Sequence, residues 1–125
     1  MQQLTAAITD EELGGGPFVI VRSVYRQFQG EKQHVRDDRY ETYGTVHPAK
    51  LSDLELLPEE YRHETVLIFH SPVSLSLGVR LDDMTFTAPD RILYRFRTYL
   101  VISVRDWSSC GFCKALAVLQ KEADQ

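Results

Sequence analysis

Two thiols stand three residues apart in the stretch Asp106-Trp107-Ser108-Ser109-Cys110-Gly111-Phe112-Cys113-Lys114. That spacing lets a cysteine pair cycle between dithiol and disulfide, with a thiolate as the attacking form. It also supplies half of a tetrahedral zinc site. His34, His47, His63 and His70 are the imidazoles that would have to complete one. They show no pair at zinc-ligand spacing, and no second Cys-x-x-Cys accompanies them. The carboxylate pairs Asp37-Asp38, Glu59-Glu60 and Asp82-Asp83 are adjacent in sequence. On a strand, neighbours point to opposite faces, so such pairs are poorly set for joint acid–base work. No nucleophile elbow, phosphate-binding loop or His-Glu-x-x-His helix occurs. The expectation is a protein without a catalytic residue, metal or cofactor.

The order Trp107, Cys110-Gly111-Phe112-Cys113, Lys114 resembles the tryptophan, CGxC and lysine of a thioredoxin active site. There the first thiol sits at a helix N-terminus, whose dipole lowers its pKa. In that family the motif lies near the start of the domain and most of the sheet follows it. Here the strand-like segments precede the motif, and they do not read as βαβ units. Cys110 and Cys113 are therefore expected to be small packing residues. A Cys-x-x-Cys thiol oxidoreductase is the enzyme-class alternative.

The elements that must position any site read as mainly β. Phe18 to Arg26 is β-branched and aromatic, as is Tyr40 to Val46, which Pro48 ends. Between them Gln29 to Asp38 is polar without periodicity and reads as a loop or hairpin tip. Leu51, Leu54, Leu57 and Tyr61 recur near the helical period, with Ser52 and Glu55 as a candidate capping box and Pro58 as the break. Thr65 to His70 is a short apolar strand. Arg91–Arg95 and Tyr99–Arg105 form a hairpin turning at Phe96-Arg97. Phe112 to Gln120 suits either a helix or a closing strand. The fold expected is a small antiparallel β-barrel or sandwich with one short helix and projecting loops. It spans residues 17–125 as one domain, preceded by an N-terminal arm over residues 1–16 that the glycines Gly14 to Gly16 loosen.

A length of 125 residues, 43% of them hydrophobic, is enough to bury a core without a metal or disulfide staple. The net charge of −4 gives no global basic footprint for tight nucleic-acid binding. Such a balance still suits a surface past which DNA slides, because each neutralised phosphate adds affinity. Met1 to Leu13 has no basic segment leading into an apolar run, and no apolar stretch approaches the ~20 residues of a membrane span. A protein made in a reducing cytoplasm, without membrane contact, is expected.

Three stretches taken in order carry a second resemblance. Thr45-Val46-His47-Pro48-Ala49 is followed by Asp53-Leu54-Glu55-Leu56-Leu57-Pro58-Glu59-Glu60-Tyr61-Arg62. Ala88-Pro89-Asp90-Arg91-Ile92-Leu93-Tyr94 precedes Tyr99-Leu100-Val101. Val104-Arg105-Asp106-Trp107 precedes Gly111-Phe112 and Lys114-Ala115. Together they resemble the small neck proteins of tailed bacteriophages, the head-closure, collar or head–tail connector (stopper-like) family. The likeness covers Thr45 to Leu119. It departs at Phe96, where relatives often have a turn glycine, and at Cys110 and Cys113, where aromatics are common. Without glycine the turn is expected to avoid positive φ.

The resemblance implies a structural virion protein at the head–tail junction, without enzymatic activity. It would form a homo-oligomeric ring of commonly twelve or six copies. A portal or head–tail adaptor protein would lie above it, and a tail terminator or tail-tube protein below. Double-stranded DNA would pass through without sequence specificity. Within that frame Leu13, Leu54, Leu57, Glu59 and Arg62 are candidate subunit-interface residues. Lys32, Arg36 and Arg39 are candidates for a channel or DNA-facing loop, with Ser74 to Met84 the other stretch able to project. Tyr94, Tyr99, Val101, Trp107 and Phe112 are candidate core. A β-barrel adaptor that binds a protein partner outside any virion is the remaining alternative.

Overall fold

The computed structural model describes residues 15–107 and 111–120, with residues 106 and 107 described by their backbone only. Leu13, Cys110 and the side chain of Trp107 lie outside the described residues. The strands are β1 (Gly15–Phe28), β2 (Glu31–Pro48), β3 (Val66–Ser71), β4 (Thr85–Thr87), β5 (Arg91–Tyr94), β6 (Arg97–Trp107) and β7 (Phe112–Leu119). Between β2 and β3 come a short helix α1 (Leu51–Leu54) and a 3-10 turn (Glu59–Tyr61).

All pairings are antiparallel, and they run in a closed circuit: β1 on β2, β2 on β3, β3 on β7, β7 on β6, β6 on β5, and β5 back on β1. The result is a barrel-like ring, with β4 added beside β1 at Val24–Arg26. A ring removes most open edges. Two bulges help it curve. The register shifts between Val24 and Tyr25 opposite β2, and between Val101 and Ser103 opposite β7.

The inner core is aromatic at its centre. Phe69 is wholly buried and meets the rings of Phe18, Tyr94 and Tyr99 edge-on at centroid distances of 5.3, 5.7 and 5.7 Å. Ile20, Ile92, Val101, Cys113, Ala115 and Ala117 fill the space around them. A second cluster lies outside the ring wall. There Leu57, with Leu54 and Tyr61 against it, covers Val66, Ile68, Leu116 and Val118. Of the helical-period apolar residues of 51–61, Leu54, Leu57 and Tyr61 thus serve as a lid on the outer face of β3 and β7, while Leu51 is exposed.

Several expectations need correction. Gln29 to Asp38 is not a loop: β1 and β2 continue as paired strands to Phe28↔Glu31, joined by the two-residue turn Gln29-Gly30. Both turn residues have positive φ, 53° and 82°, the twist that a tight hairpin requires. The second hairpin closes at Tyr94↔Arg97, so its turn is Arg95-Phe96. Both residues adopt positive φ, 52° and 66°, although neither is glycine. The demand of a two-residue connection overrides the side chains' preference. Gly15 and Gly16, assigned to an arm, pair with Thr45 and Gly44 inside β1. Ser52 does not cap α1; the Lys50 backbone N–H donates instead to Asp53 Oδ2 at 3.1 Å. Phe112–Leu119 resolves as a strand, because burial against β3 and β6 outweighs alanine's helical propensity.

Gly44 shows how closely β2 and β3 approach. A Cβ there would fall inside the van der Waals shell of the His70 carbonyl oxygen, and 3.1 Å from the Phe18 ring. Gly44→Ala should therefore destabilise the protein by about 1–3 kcal/mol, as overpacking does. An unchanged urea midpoint would show that the two strands are further apart than described.

At the other end of the ring, wholly buried Asp90 binds Arg22 through both carboxylate oxygens, at 2.9 Å (Nε to Oδ1) and 2.8 Å (Nη2 to Oδ2). It also accepts the Ser76 N–H at 2.8 Å. Arg22 Nη2 reaches the Ser74 carbonyl as well, so the pair ties the loop before β4 to β1 and β5. The hydrogen bond to Asp90 raises the Arg22 guanidinium pKa above its ordinary value, against the opposing effect of its own burial.

Candidate functional site

The thiol chemistry suggested by the sequence meets a different local geometry. Cys113 is buried in β7, opposite Ser71 on β3 and Asp106 on β6. The residues after it continue as a strand, so the helix N-terminus that would activate a thiolate is replaced by a sheet. Phe112 is half-buried, its ring edge-on to His70 at 5.6 Å. Tyr94, Tyr99 and Val101 are all buried.

His70 and His47 stack at 5.4 Å across the β2–β3 pair, and Thr45 Oγ1 lies 2.9 Å from His70 Nδ1. Among the described residues no group of three or more His, Cys, Asp and Glu side chains is placed to hold a metal ion. Burial, then the neighbouring His47 and Lys114, lowers the His70 pKa. A histidine favoured neutral in the fold contributes stability that is full above its unfolded pKa of ~6.5 and is lost as the pH falls through its folded value. The unfolding free energy should thus drop on acidification below about 6.5, and less steeply in His70→Gln than in wild type. Parallel profiles for the two proteins would contradict this.

Serine, aspartate and histidine meet on the outer hairpin. Ser23 Oγ donates to Asp37 Oδ1 at 2.7 Å, and His34 Nε2 lies 2.7 Å from the same oxygen. Arg91 Nη2 donates to Ser23 Oγ at 2.8 Å. The hydroxyl proton thus goes to the carboxylate, with no bond from serine to imidazole. A nucleophilic serine needs the base on its own hydroxyl, so the cluster reads as a brace across the hairpin. The bond with His34, then that from Ser23, holds the Asp37 carboxyl below the usual range.

That hairpin is the most distinctive surface of the molecule. β5 last pairs with β1 at Val21, and β3 pairs with β2 only from Thr45 to Pro48. Beyond Val21 the ribbon runs on from Arg22 to Phe28, roughly 23 Å at strand rise. Its far half is exposed on both faces. Lys32 lies over the Tyr25 ring at 4.7 Å, and Tyr25 stacks on Phe86 at 5.8 Å. Arg36 donates to Asp38 at 3.1 Å; Arg26 and Arg39 are exposed. The three predicted DNA-facing residues, Lys32, Arg36 and Arg39, therefore share a standing ribbon rather than a loop. The missed signal was Gln29-Gly30 between two β-capable segments.

Ser74 to Met84 lies beside the ribbon. The Gln27 N–H donates to the Met84 carbonyl at 2.7 Å, and Leu77, Val79, Leu81 and Met84 are exposed. Of the predicted interface residues, Leu57 is buried against the chain's own sheet and Leu54 packs beside it, so their apolar surface is used within the chain. Glu59 and Arg62 are exposed. No helix among the described residues is long and apolar enough to cross a membrane.

The chain matches no protein-family model, and no curated protein matches it in sequence.

Proposed function

We propose that this chain is a structural virion protein of a tailed phage. In this reading it forms a ring in the neck, joins the portal assembly to the tail, and retains or releases DNA during packaging and ejection. Support comes from the three ordered segments described above and from a mainly β, barrel-like fold of the kind they imply. The observation that carries the reading is the ribbon of β1 and β2, which runs on past the closed ring beside β4 and is exposed over its tip, residues 26–28 and 31–37. One face carries Lys32 and Arg39 with Tyr25, and the other Arg26 and Arg36 with Phe28, each a mixture of cations and aromatics suited to touching a nucleic-acid backbone. Glu31, Asp37, Asp38 and Glu41 dilute its charge. A ribbon of this balance would face moving DNA without gripping it.

The partners in this reading are further copies of the chain, a portal or adaptor protein above, and a tail terminator or tail-tube protein below. A phage carrying a stop codon early in the gene for this chain tests it. Its lysate should accumulate heads and finished tails that stay unjoined. Joined, infectious particles at normal yield would contradict the proposal.

A further inference from the structure

The turn of the second hairpin combines two costs. Arg95 and Phe96 both hold left-handed φ, which asparagine or glycine would adopt with less strain. The Phe96 ring is also entirely in water, at 105% relative exposure. A strained turn that carries a fully exposed aromatic ring is a candidate contact point. Arg95 and Arg97 flank the ring, and among the described residues neither makes an ion pair.

The complement to this tip lies at the same end of the sheet. The Gln120 N–H donates to the Thr98 carbonyl at 2.9 Å, which places the end of β7 beside the start of β6. There Val118 and Leu119 form the floor of a groove of about 370 Å³, with Tyr61 at its side and Glu60 and Glu64 at its rim. Glu60 and Glu64 likewise make no ion pair among the described residues. The groove combines apolar and acidic residues; the tip is one aromatic ring flanked in sequence by two arginines, of which Arg95 lies over the Tyr94 ring at 5.1 Å. The chain's own tip leaves its own groove open.

We propose that the Arg95-Phe96-Arg97 tip of one copy seats in the Glu60–Tyr61–Glu64 groove of a second copy. Phe96 meets Val118 and Leu119, while Arg95 and Arg97 pair with Glu60 and Glu64. The first copy then keeps its groove, and the second its tip, for further neighbours. Such a head-to-tail contact closes into a ring when its rotation permits. The inference rests on the neck-ring reading and names the contact that would build the ring.

Native mass spectrometry and sedimentation of the purified chain test it. Wild type should assemble, and Phe96→Gly should weaken assembly roughly tenfold or more, the scale of one buried aromatic ring. Glycine relaxes the turn, so a thermal midpoint at or above that of wild type separates lost contact from lost fold. Arg95→Glu with Arg97→Glu should abolish assembly, as should Glu60→Arg with Glu64→Arg. Mixing these two variants should restore assembly in mixed oligomers.

Unchanged assembly in Phe96→Gly, or no rescue on mixing, overturns the contact. Loss of DNA binding without loss of assembly overturns it too, and assigns the tip to DNA. A wild-type chain that is monomeric at its highest soluble concentration also overturns it. The joined-particle assay does not depend on this contact, so it judges the neck reading separately.

Discussion

Asp90→Ala should lower the unfolding free energy by about 3–5 kcal/mol, the cost of removing one partner from a buried ion pair. The carboxylate is fully buried, and three donated hydrogen bonds end on it, two from Arg22 and one from the Ser76 N–H. Without it, the Ser76 N–H loses its acceptor and the Arg22 guanidinium, only about a quarter exposed, keeps its charge. The loop from Ser74 toward β4 should loosen first, because Asp90 and the Arg22 bond to the Ser74 carbonyl both hold it. Asp90→Asn retains an acceptor for Ser76 and should cost less. Urea denaturation of the three proteins reads the order. Equal stabilities for wild type and Asp90→Ala would mean that the pair is solvated and the loop is held by other contacts.

Phe69→Ala should cost a similar ~3–5 kcal/mol, for a different reason. Phe69 sits on β3, and three aromatic rings from β1, β5 and β6 converge on it. Its removal leaves a cavity that the surrounding strands cannot close without breaking their circuit of pairings. Truncation therefore carries both the lost transfer energy and the cavity cost. Phe69→Leu keeps most of the volume and should lose much less. Comparison of urea midpoints and m-values tests this. A near-zero effect for Phe69→Ala would place the ring at a surface rather than at the centre of the core.

The sequence made some of this molecule legible and hid other parts for physical reasons. β3 is readable as a continuous apolar run because both its faces are covered, and the β5–β6 hairpin is readable from its alternation. The ribbon was misread because its far half is exposed on both faces. Nothing there imposes alternation, and only its pairing with β1 makes it a strand. The Arg22–Asp90 pair joins residues 68 apart, so no local pattern reports it. Asp90 follows a proline at the start of β5, yet it is a wholly buried charge. The Arg95-Phe96 turn was hidden by its composition, because its left-handed conformation is imposed by the strands on either side. The predicted interface at Leu54 and Leu57 followed a real apolar pattern, but that pattern serves the chain's own outer cluster.

Two exposed features lie at opposite ends of the sheet. One is the ribbon with Arg26, Lys32, Arg36 and Arg39; the other is the Arg95-Phe96-Arg97 tip with the groove rimmed by Glu60 and Glu64. In the reading proposed here, the first faces DNA and the second faces neighbouring copies. Immunogold electron microscopy of phage particles, with antibody against this chain, tests that reading most directly. Gold should cluster at the head–tail junction. Particles that bear no gold, with the chain antibody-accessible in the soluble fraction of the same lysate, would contradict it.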